Sequence, residues 1–218
     1  MSVRTIPKNY QNLTGLMSST KADGAFFEST LERDFLTIIE FDTNVQSYDV
    51  QPVSIPWIDE KGKRRIYTPD VLVEFQAGKC PFSRFDVILC EVKYRSELQR
   101  KWTDFKPKFK AAIKYAKLKG WRFKLVTEDE IRTPFMENAR FLQPYLSESL
   151  DESHEALLLE QLISFRECSV DALIKSIFND KWAQAELIQS LWWLIASRRV
   201  STDLNEPLTM SSRIWIGG

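Results

Sequence analysis

Asp70 follows a proline, and after twenty intervening residues stands the triplet Glu91-Val92-Lys93. Hydrolysing a phosphodiester requires an attacking water, neutralisation of the charge building on phosphorus, and help for the departing 3′ oxygen. Magnesium does much of this and prefers hard oxygen ligands, usually one or two carboxylates together with waters and the phosphate. On a strand, Glu91 and Lys93 project to one face about 6–7 Å apart. That spacing lets Glu91 hold a metal while the Lys93 ammonium meets the attacking water or a phosphate oxygen. Asp70 opens a strand of its own and converges on Glu91 if the two strands are neighbours. Asp59-Glu60-Lys61 repeats the triplet pattern but sits in a hydrophilic turn. Glu91-Val92-Lys93 ends an apolar strand whose Val87 and Leu89 share its face, and charges placed there need partners. An ordinary ion pair at an exposed strand end fits the same residues, so spacing alone leaves both readings open.

Glu32 is a further acid with two possible roles. Ser29-x-x-Glu32 reads as a capping box, in which Glu32 satisfies backbone donors at a helix start. It also lies on the flank of that helix's apolar stripe, which keeps a metal or water-orienting role open.

The elements that must position these residues follow from periodicity. Thr30 to Phe41 is expected as a helix burying Leu31, Phe35, Ile38 and Ile39, with Arg33, Thr37 and Glu40 pointing away. Val50 to Trp57 and Arg64 to Thr68 flank a polar turn and are expected as a hairpin. Val71 to Phe75 is a short strand. Phe85 to Lys93 is a longer one, apolar on both faces and therefore central in a sheet. Asp104 to Lys119 reads as a helix burying Phe105, Phe109, Ala112, Ile113 and Ala116, with Pro107 in its first turn. Its outer face carries Lys106, Lys110, Lys114 and Lys117, a candidate track for DNA phosphates or else a solvated helix face. A strand from Arg122 to Thr127 and a helix from Pro134 to Tyr145 complete an α/β sandwich over residues 1–150, with residues 1–24 as an arm that wraps or frays.

A second domain is expected over residues 151–218. Helices at Ser153–Phe165, Ser169–Phe178 and Lys181–Ser197 precede two short strand-like pieces, Arg199–Leu204 and Ser211–Ile216. Three helices and a hairpin form a winged-helix-like pattern, a fold that binds DNA or protein. Trp192-Trp193 and the scarcity of cations before Arg198-Arg199 point to protein contact.

Thirty Lys and Arg balance thirty Asp and Glu in 218 residues, which excludes a uniformly basic nucleic-acid coat. The balance hides a segregated charge. From Lys93 to Lys124 twelve cations face two acids, and from Glu128 to Glu160 nine acids face two cations. The first run suits phosphate backbones. Three widely spaced cysteines and the lone His154 make neither a disulfide framework nor a zinc site. No apolar run approaches the roughly 18–20 residues of a membrane span, and the N-terminus shows no apolar signal segment, so a cytoplasmic location is expected.

Glu28-Ser29-Thr30-Leu31-Glu32-Arg33-Asp34-Phe35-Leu36, Glu40-Phe41-Asp42, Gln51-Pro52-Val53, Tyr67-Thr68-Pro69-Asp70 and Glu91-Val92-Lys93, in this order, resemble the TnsA transposon endonucleases. The resemblance implies a restriction-endonuclease-like, PD-(D/E)xK core with a mixed sheet and a small C-terminal winged-helix-like α+β domain. It implies a bacterial Mg²⁺-dependent endonuclease, with Mn²⁺ substituting, that cuts the non-transferred strand at the 5′ ends of a cut-and-paste transposon. Its partners would be DNA at the transposon ends, a TnsB-like DDE transposase and a TnsC-like AAA+ ATPase, the latter through the C-terminal domain. The family's helical acid falls on Glu32, its strand acid on Asp70 and its lysine on Lys93. The position two before that lysine can be Gln in the family and is Glu91 here. Metal ligands would be Asp70, Glu91, the Val92 carbonyl and Glu32. The alternatives are a standalone restriction or repair nuclease with the same core, and a non-catalytic DNA- or transposase-binding adaptor.

Overall fold

The computed structural model describes residues 14–81 and 84–217. Residues 1–13, which include Pro7 of the expected arm, lie outside the described residues. The chain divides into two compact units, one through Ile131 and one from Arg132. The boundary expected at residue 150 therefore falls inside the second unit.

The first unit opens with two short antiparallel strands, β1 (Gly15–Met17) and β2 (Ala25–Phe27). Helix α1 (Thr30–Phe41) follows, capped by Ser29. Next come β3 (Val45–Val50), the hairpin β4 (Ile55–Ile58) and β5 (Arg64–Tyr67), then β6 (Val71–Phe75) and β7 (Val87–Val92). The unit ends with α2 (Arg95–Arg100), α3 (Trp102–Leu118), β8 (Arg122–Val126) and α4 (Glu128–Ile131). Strands β3-β6-β7-β8 form one sheet, antiparallel from β3 to β7 and parallel between β7 and β8. A parallel pair needs a crossover, and α2 with α3 supplies it.

Strand β7 is buried on both faces, as its run of apolar residues demands. Ile88, Cys90 and Val92 join Val71 and Val73 in packing with Leu31, Phe35, Leu36 and Ile39 of α1. Leu89 looks the other way, into a cluster with Phe109, Ala112 and Ala116 of α3 and Ile55 and Tyr67 of the β4–β5 hairpin. The sheet thus lies between α1 on one side and α3 with the hairpin on the other.

Several expectations need correction. Helix α1 is buried nearly all round: Thr37 and Glu40, expected outward, are 6% and 9% exposed. Residues 18–22 lie over that side, where Glu40 accepts hydrogen bonds from Ser19 Oγ (2.6 Å), Thr20 N (2.9 Å), Thr20 Oγ1 (2.8 Å) and Tyr48 Oη (3.0 Å). These bonds outweigh the desolvation of Glu40 and hold its carboxyl below the usual range. The strand expected over 50–57 does not run through: Gln51 takes a left-handed φ of 50°, and pairing resumes only at Ile55. Strand β3 was not anticipated, because a register shift between Val45 and Ser47 breaks its alternation. In α3, Ile113 is 54% exposed, and Pro107 falls in the second turn because the helix begins at Trp102.

The second unit contains α5 (Pro134–Leu142), a 3₁₀ turn (Gln143–Ser147), α6 (Glu152–Phe165), β9 (Glu167–Ser169), α7 (Val170–Ile177), α8 (Lys181–Ala196), β10 (Val200–Ser201) and β11 (Arg213–Ile216). Asp151, Ser169 and Asp180 cap α6, α7 and α8 with their side chains. The strands form a three-stranded antiparallel sheet in the order β10-β11-β9. Helix α5 belongs here because Asn138, 5% exposed, donates to the carbonyls of Leu204 (2.9 Å) and Glu206 (2.8 Å) and accepts from Leu208 N (3.0 Å). Trp192, expected at a contact surface, is 7% exposed and packs edge-on against Phe141. Among the described residues no helix is long and apolar enough to cross a membrane.

Candidate active site

Register brings the two strand acids together. Strands β6 and β7 are antiparallel with Val71 opposite Cys90, and one step further the same register sets Asp70 opposite Glu91. The Val92 amide donates to Asp70 Oδ2 (2.7 Å), which fixes that carboxylate at the strand end. Glu91 is 1% exposed and points, like Leu89, toward α3. Tyr67 at the end of β5 donates its hydroxyl to Glu91 Oε2 (2.6 Å). Burial and the Glu91 charge together push the Tyr67 phenol far above its usual range, so it remains a donor.

The Lys93 ammonium sits among oxygens. It lies 3.3 Å from Asp70 Oδ2, 3.3 Å from Glu91 Oε1 and 2.9 Å from the Val92 carbonyl. Burial opposes its charge, but the Asp70, Glu91 and Glu32 carboxylates outweigh burial and raise its pKa. Asp70 moves upward too, to about 8, because it is desolvated and faces the Glu91 charge, with Lys93 only partly offsetting both. Two carboxylate oxygens and one carbonyl oxygen therefore converge on a single cation position. This is the hard donor set that suits Mg²⁺, with the ammonium standing in for the ion. Among the described residues no three His, Cys, Asp or Glu side chains gather as a ligand group. The fit accordingly rests on two acids and a main-chain oxygen.

Glu32 occupies the third position of α1. It accepts from Glu28 N (2.8 Å) and Ser29 Oγ (3.1 Å), while its own amide donates to Ser29 Oγ (3.2 Å). The capping arrangement is thus formed. The same carboxylate interacts electrostatically with Lys93 and Asp70, and its pKa is raised mainly by burial. Capping and proximity to the acid cluster coexist.

Lys106, Lys110, Lys114 and Lys117 are exposed along α3. Lys108, on the same helix, turns inward. Its ammonium is 3.1 Å from Glu91 Oε1 and lies over the rings of Tyr67 (4.6 Å), Phe105 (4.6 Å) and Phe109 (5.2 Å). Sequence reasoning missed it, although the signal was available: Phe105, Lys108, Phe109 and Ala112 follow i, i+3, i+4, i+7 spacing. Gln51 opens the Gln51-Pro52-Val53 motif. Its amide donates to the Asp70 carbonyl (2.8 Å) and its Nε2 to Glu28 Oε1 (3.1 Å). Its Oε1 is buried and accepts no hydrogen bond from the described residues, which leaves an acceptor open beside the acids.

Two family models match the chain. One, described as "TnsA-like endonuclease N terminal", matches residues 42–128, and another, "TnsA endonuclease C terminal", matches residues 130–204. The junction between them falls beside the division between the two compact units. A comparison with curated proteins returned no match.

Proposed function

The chain belongs to the TnsA endonuclease family, and from that premise we propose that it is the Mg²⁺-dependent DNA endonuclease that hydrolyses the non-transferred strand at the 5′ ends of a cut-and-paste transposon. It works with a TnsB-like DDE transposase and a TnsC-like ATPase, the latter engaged by the second unit, in the bacterial cytoplasm. On this reading the first unit is a restriction-endonuclease-like core and the second a winged-helix-like domain.

One observation carries the proposal: Asp70, Glu91 and the Val92 carbonyl converge on one cation position at the end of a central strand. Asp70, Glu91 and Val92 would hold the ion, with Glu32 as a further ligand or an orienter of the nucleophile. An Mg²⁺ ion held by these residues would supply charge neutralisation at the scissile phosphate and a more acidic water. Tyr67 and Lys108 keep Glu91 aimed. Lys93, released from the ligand oxygens, orients the attacking water or steadies the negative charge that develops on the phosphate. Lys106, Lys110, Lys114 and Lys117 track DNA phosphates.

Strand-specific cleavage mapping on labelled transposon ends, with and without the cognate transposase, tests the reading. Cuts confined to the 5′ strand and dependent on Mg²⁺ or Mn²⁺ support it. Cleavage of any naked DNA without the transposase favours a standalone nuclease, and binding without cleavage under all conditions favours an adaptor.

A further inference from the structure

The β4–β5 hairpin forms a two-stranded ribbon outside the four-stranded sheet, and its two faces differ in chemistry. Residues paired across a ladder share a face. Ile55 pairs with Tyr67 and Trp57 with Arg65, whereas Pro56 pairs with Ile66 and Ile58 with Arg64. On the first face Ile55 and Tyr67 are buried against Phe109 and Ala112 of α3. On the second, Ile58 is 63% and Ile66 74% exposed, with Pro56 and Arg64 exposed beside them. Two large aliphatic side chains on one ribbon face, flanked by a proline, form a patch rather than scattered exposure.

The tip is hydrogen-bonded and carries exposed cations. Asp59 Oδ1 accepts from the amides of Lys61 (3.0 Å) and Lys63 (2.9 Å), and its Oδ2 accepts from Arg65 Nε (2.9 Å). The backbone bond to Lys63 and the bond to Arg65 hold the Asp59 carboxyl below its usual range. Gly62 supplies the left-handed φ of 74° that closes the turn. Asp59 is thus engaged within the turn. Glu60 then faces Lys61, Lys63 and Arg64, all exposed and none paired with a carboxylate among the described residues.

We infer that this ribbon is a DNA-gripping arm, with Lys61, Lys63 and Arg64 on phosphates beside the cleaved bond and Pro56, Ile58 and Ile66 against the minor groove. The inference deepens the nuclease reading and rests on it. Position supports it first. The ribbon is rooted in the active site, because β5 ends at Tyr67, the donor to Glu91, and Asp70 comes three residues later. Four strand residues at about 3.3 Å each put the tip roughly 13 Å from that root, about four base pairs along a duplex. Composition supports it second. Isoleucine and proline are among the side chains that wedge into minor grooves, and cations beside them answer phosphates. An apolar protein surface laid on the same face would leave Arg64, paired there with Ile58, without a partner.

The test is fluorescence anisotropy of the full chain on a labelled transposon-end duplex, titrated over a KCl series with Ca²⁺ replacing Mg²⁺. The triple variant Lys61→Gln, Lys63→Gln, Arg64→Gln should flatten the slope of log K against log salt by about 2–3 and weaken binding roughly 10- to 100-fold. Ile58→Ser with Ile66→Ser should weaken binding several-fold and leave the slope unchanged. Both variants should melt like the wild type, since every altered side chain is exposed. Wild-type affinity and slope in both variants would overturn the inference, as would a wild-type chain that does not bind duplex at low salt. Variants that bind DNA normally but fail to capture the purified transposase would also overturn it, and would make the face a protein surface. Cleavage of the same duplex in Mg²⁺, with transposase present, reports separately on the nuclease reading. Wild-type cleavage alongside unaltered binding by the variants sinks the arm alone.

Discussion

The Lys108 ammonium stands 3.1 Å from Oε1 of Glu91, and the two side chains are 18% and 2% exposed. A carboxylate at that depth needs charged or hydrogen-bonding partners. Lys108 reaches it from a helix whose other lysines face solvent. Lys108→Met removes one of the three groups that hold Glu91 and should lower stability by about 1–3 kcal/mol, which is several degrees in Tm. In a Glu91→Gln background the same change should lose less than half as much. A double-mutant cycle read by thermal melts measures this coupling, and additive losses would show that the two groups do not interact.

Asp70 makes stability depend on pH with a definite sign. Its folded-state pKa, about 8, lies above its ordinary value, so the folded chain binds the proton more tightly than the unfolded chain does. The stability this contributes is complete below the ordinary value and is lost as pH rises through about 8. Asp70→Asn has no such dependence. In EDTA its Tm advantage over wild type should widen from pH 5 to pH 8 and level off above that. Adding Mg²⁺ should raise the Tm of wild type only. A flat difference across the series would show that Asp70 is not forced toward its protonated form.

Glu32→Gln separates the two roles of that residue. The amide oxygen can still accept from Glu28 N and the amide nitrogen can donate to Ser29 Oγ, so the melt should stay within about 2 °C of wild type, while cleavage falls at least tenfold if the charge serves the metal or the water. Normal cleavage would leave Glu32 as a cap alone.

Lys93→Ala should split metal binding from turnover. The ammonium rests among the oxygens on which a divalent ion would sit, so its removal takes away a competitor. Mn²⁺ titrated calorimetrically should bind at least as tightly as to wild type, while hydrolysis drops by orders of magnitude. Loss of metal binding would show that Lys93 instead holds the ligands in place. In cells, insertions sequenced with long reads should shift toward cointegrates, because uncut 5′ strands remain joined to donor DNA.

In the second unit, Asn138→Ala strips partners from two carbonyls and one amide at a site 5% exposed. Buried groups left without hydrogen bonds are expensive, and the loss should reach about 2–4 kcal/mol. Hydrogen exchange should rise in residues 204–208 and not in β7.

What the sequence made legible was whatever one residue's neighbours decide. Helix α1 and the two-faced burial of β7 follow from periodicity, whereas the meeting of Asp70 with Glu91 depended on β6 and β7 being neighbours, which the register supplies. Lys108 was passed over because four lysines around it follow the solvent-facing rhythm, and its own inward direction depends on Glu91, which β7 points toward α3. Gln51 gives no hydropathy signal at all; its left-handed backbone is set by tertiary bonds to Asp70 and Glu28. Glu40 looked solvent-facing because the residues covering it are polar and come from some twenty positions upstream.

Because Asp70 and Glu91 meet where β6 begins and β7 ends, the described residues of the connection between those strands, 76–81 and 84–86, lie at the opposite end of the pair. Five strand residues at about 3.4 Å put them roughly 17 Å from the acids. Extra residues there lengthen a turn without moving either carboxylate, whereas one extra residue within β6 or β7 rotates half the constellation to the wrong side of the sheet. A fluorophore, an affinity tag or a whole programmable targeting module could therefore be spliced into this chain between β6 and β7. For engineering insertion tools, that makes it a port of entry besides the two termini.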